Sequence, residues 1–441
     1  MPAGEGGFEA EKLADIAEAY FEAYARNPGS AEGAAALKEA AAYARSAVEK
    51  DPARALPHHT LGKVYRELGQ LDSALIELNE AVRLDGQNYV YAFDQGRVLF
   101  LLKKYREALD SFERVTRLKT NFESGWYNLG GVYRVLGRPE DALAACRRAV
   151  GIRPEYAAAH REIGRILSAM GDNNGAAAAF SRALQYAPDD AASLRELGTA
   201  QSAAGNYAAA EISFNRALSG AAGDARTNYN MAVVKLALQK NAEAVNYARK
   251  AAEQDGANSV YAYTLGLAKE AEGDVDGAAG AYARAISLDS AYVRPRINLG
   301  SLCLFNGYPD EALSLLQEAY LREPGSFEVN NNMGAAYAQK EQWRESVGHY
   351  ERALAVEPDN QTVRLNLARA LVRSGELVRA REAYQELLRI SADNEDARFE
   401  LGQIFVSLGD NHSARQSLQE LLRRNPKYTG KAEVERILAG L

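Results

Sequence analysis

The stretch Val293-Arg294-Pro295-Arg296-Ile297-Asn298-Leu299-Gly300 is answered 34 residues later by Phe327-Glu328-Val329-Asn330-Asn331-Asn332-Met333-Gly334. Gly300 is followed by Ala312, Ala319 and Pro324, and Gly334 at the same offsets by Ser346, Ala353 and Pro358. A fixed period of this length is the signature of stacked repeats, in which each unit buries its apolar face against its neighbours. Working outward from this pair tests whether the period holds.

It holds for most of the chain. With Gly300 set at repeat position 8, eleven units begin at Ala55, Tyr89, Glu123, Ala157, Ala191, Ala225, Ser259, Val293, Phe327, Gln361 and Glu395, and the last ends at Tyr428. No insertion or deletion interrupts them. Position 8 is Gly in nine units and Ala232 or Ala368 in the other two. Position 20 is Ala in ten, with Ser346 the exception, and position 27 is Ala in eight. Apolar residues at helical spacing, such as Leu129, Val132, Tyr133 and Leu136, predict a first helix (A). A Gly at position 15 is expected to stop it at Gly69, Gly137, Gly171, Gly205, Gly273, Gly307, Gly375 and Gly409, because glycine tolerates the left-handed backbone of a helix C-cap. A second helix (B) follows, closed at position 32 by Pro154, Pro188, Pro324, Pro358 and Pro426. Glycine inside a helix costs roughly 1 kcal/mol against alanine, so its recurrence at position 8 implies a compensation. The expected one is close approach of helix A to position 20 of helix B.

These residues resemble the tetratricopeptide repeat (TPR) family. Unit 3 carries the pattern best, with Trp126, Leu129, Gly130, Tyr133, Ala142, Ala149 and Pro154. The resemblance implies an all-α fold, a helix-turn-helix solenoid wound as a right-handed superhelix with A helices lining the concave face. Residues 1–54 are expected to form a degenerate N-terminal unit or cap, residues 55–428 the eleven units, and residues 429–441 a capping helix with Val434, Ile437, Leu438 and Leu441 on one face.

Composition narrows the function classes. The net charge of −7 gives no support to a protein that binds nucleic acid through phosphates. No window reaches eighteen consecutive apolar residues, so no membrane insertion is expected. Met1–Gly7 shows no leader pattern, which points to a cytoplasmic location, or a periplasmic or membrane-anchored one if a signal has been removed. The two cysteines, Cys146 and Cys303, are too few for a disulfide framework or a zinc site. His58, His59, His160, His349 and His412 show no metal-ligand spacing, and no nucleotide loop or nucleophile elbow is present. No catalysis, cofactor or metal is expected. His58 and His160, at position 4 where the family packs Trp, are expected to pack in the core.

The resemblance places positions 2, 5, 6, 9, 12 and 13 on the groove where TPR proteins hold peptides. Position 6 is Asn128, Asn230, Asn298, Asn332 and Asn366 in five units. An amide offers both a donor and an acceptor, so a row of them can bond the backbone of an extended peptide without reading its side chains. Similar asparagines line the groove of protein O-GlcNAc transferases and serve the peroxisomal import receptors. Their alternative role is bonding between repeats. Position 5 carries Phe93, Tyr127, Tyr229, Tyr263, Ile297, Leu365 and Phe399, which read first as packing between repeats and second as side-chain pockets. Arg161, Arg165, Arg195, Arg226 and Arg294 put positive charge on the wall of units 4–8, for an acidic peptide or for ion pairs with Glu162 and Glu196. The carboxylate clamp of chaperone-binding TPR domains is not matched: Arg165 and Glu196 stand where it needs Asn, and Asn230 where it needs Arg. The sequence thus reads as a protein-interaction scaffold binding an extended segment of a protein or peptide partner. Alternatives are the substrate-recruiting arm of a larger enzyme such as a glycosyltransferase, against which an intact C-terminal cap argues, and a self-assembling structural repeat. Oligomeric state is not legible.

Overall fold

A computed structural model describes residues 5–220 and 224–441. The chain start, Met1–Gly4, read above for a leader, lies outside the described residues. The described residues form 25 α-helices and no strand. After a first pair, Glu5–Arg26 and Ala31–Lys50, an A helix begins at each of the eleven positions from Ala55 to Glu395. Each is followed by a B helix of 14 residues, as Val293–Phe305 is followed by Pro309–Arg322. A short helix, Lys431–Gly440, comes last. The chain divides into two compact bodies, Met1–Ala222 and Gly223–Leu441. The first holds the leading pair and repeats 1–5, the second repeats 6–11 and the final helix.

The helix ends follow from local chemistry. Asn88, Asp190, Asn258, Ser326, Asn360 and Asn394 precede A helices and accept a backbone N–H of the first turn through their side chains. All eight glycines predicted to end A helices have positive φ, from 72° at Gly137 to 91° at Gly273. In the three repeats without a glycine there, Lys103, Gln239 and Glu341 take the same left-handed conformation at φ 57–60°. Every repeat closes this turn with the same backbone bond spanning five residues, for example Gln70 N–H to the Tyr65 carbonyl at 2.8 Å and Tyr308 N–H to the Cys303 carbonyl at 2.8 Å.

Position 8 meets position 20 as expected, with the Ala142 carbonyl 3.1 Å from a Cβ built on Gly130 and Ser346 Oγ donating to the Gly334 carbonyl at 2.8 Å, but a second contact crowds it more closely. A Cβ built on Gly164 would lie 2.6 Å from the Phe180 ring, and on Gly334 2.7 Å from Tyr350. Phe180 and Tyr350 occupy position 24, not 20. Positions 20 and 24 are one helical turn apart on the same face. The alanine at 20 is too short to fill the interface, so the large residue at 24 reaches across and lies flat on the glycine. Gly300 is the loosest case, 3.0 Å from Leu316. Where position 24 shrinks to Ala248, position 8 grows to Ala232, and both are buried in one cluster. The cores of both bodies are built this way. Leu78, Val98, Phe112, Leu129 and Val132 cluster in the first, and Tyr350, Leu371, Tyr384, Leu387 and Leu401 in the second.

Candidate functional site

The A helices carry positions 2, 5, 6, 9, 12 and 13 along one face, and the two bodies furnish that face differently. In repeats 1–5 it is laced with ion pairs. Asp94, only 7% exposed, accepts from His59 Nε2 at 2.8 Å and Arg66 Nη1 at 2.9 Å, with Arg97 at 3.4 Å. Burial alone would raise its carboxyl; the His59 hydrogen bond and the Arg66 and Arg97 charges outweigh that and hold it below the usual range. Lys63 and Thr60 both donate to Glu18 of the leading helix. Burial pushes the Glu18 carboxyl up, and Lys63 more than offsets it. Glu162 is buried between Arg134 and Arg165, and Arg165 also reaches Glu196 at 2.7 Å. Arg161 bonds Asp190 at 2.7 Å. Two of the five arginines expected on the wall are therefore already paired, Arg161 within repeat 4 and Arg165 across the boundary to repeat 5. Arg195 lies half-buried in the same row. Asn128 turns back on its own helix, donating to the Ser124 carbonyl at 2.8 Å, and Tyr127 packs on Tyr156.

From repeat 6 onward the face changes character. Arg226 and Arg294 are exposed and have no ion-pair partner among the described residues. They border tyrosines: Tyr229 lies 5.2 Å from Tyr261 between ring centroids, and Tyr263 lies 5.2 Å from Tyr292. Burial pushes the Tyr292 hydroxyl up to about 12, so that ring is uncharged near neutrality. A pocket of about 410 Å³ opens between Tyr263, Arg294, Ile297, Asn298, Glu323, Ser326 and Glu328. Asn298 donates to the Tyr282 hydroxyl at 3.2 Å, which leaves its Oδ1 without a partner among the described residues. The Asn332 Oδ1 accepts from Asn331 at 3.2 Å, which leaves its Nδ2 open in the same sense. Asn366 has no side-chain partner among the described residues, and all three are half-buried. Asn230 is half-buried as well. Ion pairing returns at repeat 11, where Glu400 accepts from Arg369 at 2.7 Å and from the Tyr384 hydroxyl at 2.5 Å.

Position 4 does more than pack. His58 Nε2 donates to the Pro52 carbonyl at 3.1 Å, Trp126 to Thr120 at 2.9 Å, His160 to Pro154 at 2.7 Å and Asn330 to Pro324 at 2.8 Å. Arg364 and Arg398 do the same to Pro358 and Ala392. Each acceptor is the position-32 carbonyl just past the preceding B helix. Where position 4 supplies no donor, an arginine at position 26 reaches that carbonyl in three repeats, as Arg114 does to Gly86 at 2.5 Å. His58 is buried as expected and His160 is half-buried, and each is in addition a hydrogen-bonding tie to the unit before it. His58 also bonds Glu77 at 2.6 Å, and that bond raises its pKa.

Cys146 is buried, and burial pushes its thiol up to about 12, far from a reactive thiolate. Among the described residues no group of three or more His, Cys, Asp or Glu could hold a metal ion. No helix among them is long and apolar enough to cross a membrane.

Family profiles described as tetratricopeptide repeat match residues 59–121, 93–157 and 331–395 with one profile, 136–200 and 371–439 with a second, and 293–318 with a third. Together they span more than half of the chain. The chain belongs to the tetratricopeptide repeat family. Among curated proteins no sequence matches it. Solved TPR structures do. The crystal structure of the Cut9–Hcn1 hetero-tetramer of APC/C aligns at 15% identity over 91% of this chain and 93% of that one, with a TM-score of 0.44. Yeast Tom70 aligns at 15% identity over 88% and 95%, with a TM-score of 0.39. YrrB, described as a TPR protein with an unusual peptide-binding site, aligns at 23% identity over 42% and 95%, with a TM-score of 0.37. These likenesses show the fold alone. TPR proteins generally bind protein or peptide partners and are generally non-catalytic.

Proposed function

We propose that this TPR protein is a non-enzymatic scaffold that holds an extended segment of a partner protein along its A-helix face, with repeats 6–10 as the receiving stretch. The observation that carries this reading is the row Asn298, Asn332 and Asn366. It presents an open acceptor, an open donor and an entirely open amide at the same position of three successive repeats. The backbone of an extended chain offers both N–H and C=O groups and can pair with each. Residues 1–54 and 429–441 serve as end caps. Val434 of the last helix is fully buried against Leu418 and Leu421, which leaves that apolar surface shielded.

The test is an array of unrelated extended peptides, probed with wild type and with Asn298→Ala/Asn332→Ala/Asn366→Ala. Backbone recognition predicts that the triple variant loses affinity for all bound peptides by a similar factor while melting within a few degrees of wild type. Retention of every interaction by a folded triple variant would refute the role of the row.

A further inference from the structure

Position 2 lies on the face described above, at the start of each A helix. Through repeats 6–9 it reads Arg226, Val260, Arg294, Glu328, and all four side chains are exposed. Neither arginine is neutralised among the described residues, unlike Arg161 and Arg165. We infer that repeats 6–9 select an extended peptide carrying acid, apolar, acid and basic side chains in that order, one to each repeat. This rests on the peptide-binding reading above and adds a sequence preference to it.

The spacing follows from geometry. Packed helices stand roughly 8–10 Å apart, and an extended chain advances about 3.3 Å per residue, so neighbouring repeats meet every third residue, roughly. The matching peptide is acid-x-x-apolar-x-x-acid-x-x-base. The surroundings fit each place. Val260 supplies an uncharged contact between the two arginines. Arg294 shares its pocket with Tyr263 and Asn298 of repeats 7 and 8, with Glu323 near the end of repeat 8 and with Glu328 of repeat 9. Those two carboxylates repel a third acid at repeat 9, so the acidic stretch ends there and a base is favoured. The wall thus has a defined charge order.

The probe is a fluorescein-labelled peptide of roughly ten residues, the length that spans four repeats. It carries Asp, Leu, Asp and Lys at the four places, is made in both chain directions, and is compared with a charge-inverted partner carrying Lys, Leu, Lys and Asp. Anisotropy titrations use the full-length protein at low and high salt. Exposed ion pairs are individually weak, and three of them predict an acidic-first peptide on the order of tenfold tighter than the inverted one, with the gap narrowing in high salt. R226Q/R294Q is expected to remove most of that gap. R226E/R294E is expected to reverse the preference. R249Q/R344Q, which removes the same charge from exposed B-helix sites, should leave it intact. Equal affinity of wild type for both peptides, or tighter binding of the inverted one, overturns the charge order. If that equal binding is still lost in the asparagine triple variant, the backbone-recognition reading survives without it. If neither peptide binds, both fall.

Discussion

Repeats 1–5 and repeats 6–10 share one helix geometry and present opposite surfaces on it. In the first set the acids at position 6, Asp94, Glu162 and Glu196, are tied to arginines of their own or a neighbouring repeat, so much of the face's charge is satisfied internally. In the second, position 6 is largely Asn and Arg226 and Arg294 stand exposed. The same positions can therefore join repeats to each other or stay open to a partner. The choice is made by residue type, not by backbone.

The largest effect that would sharpen this contrast is at Asp94. Asp94→Ala leaves His59 and Arg66 without their shared partner in a nearly buried site, and should cost roughly 3 kcal/mol of stability. Arg294→Ala, on the open face, should change stability by less than about 0.5 kcal/mol. Chemical denaturation of both variants checks this. Equal small effects would mean the first wall is no more closed than the second.

Acid should separate the bodies next. His349, in the second, is buried between Tyr320 and Tyr337, and burial lowers its pKa from 6.5 to about 4. Its folded pKa lies below its unfolded one, so the neutral ring's contribution is fully present above 6.5 and is lost as pH falls toward about 4. The loss is on the order of 2 kcal/mol. In the first body, Asp94 and Glu18 have lowered carboxyl pKa values, so their contribution persists through this window and fades only below the ordinary carboxylate range. His58 has a raised pKa, so its contribution is present at low pH and fades as pH rises through its folded value. The chain's two tryptophans report on the two bodies separately, Trp126 on the first and Trp343 on the second. With each left alone by Phe replacement of the other, the Trp343 melt should fall between pH 6.5 and 4 while the Trp126 melt holds. His349→Leu should flatten the Trp343 dependence.

The smallest effect is shared by both bodies. Lys103→Gly, Gln239→Gly and Glu341→Gly relieve a left-handed backbone, and each should stabilise by up to about 1 kcal/mol. Thermal melts should rise slightly in all three. A drop in any of them would show that its side chain holds the turn by other means.

The helix boundaries were legible because a period of 34 with small residues at fixed places leaves little freedom, and the turn glycines announced their own backbone. Lys103, Gln239 and Glu341 were not legible as turn residues, because nothing in their chemistry signals positive φ. The approach of position 8 to position 20 was legible, but the closer contact from position 24 was missed because alanine at 20 drew attention from the large residue one turn later. On the face, the asparagines and arginines could be placed, but not which were engaged. Arg165 and Glu196 stand 31 residues apart, and their meeting depends on how one helix pair stacks on the next. The position-4 tie was hidden for another reason: His, Trp, Asn and Arg perform it, and residue type alone does not reveal a shared task.

That tie gives the chain a direction. Its acceptor is a main-chain carbonyl, which no substitution can delete, and its donor always belongs to the unit that follows. A growing chain leaving the ribosome would therefore complete each such tie only when the next unit arrives. An array joined in this way tolerates loss or gain of whole units far better than of fractions, because the seam where one unit ends is completed by a side chain of its successor.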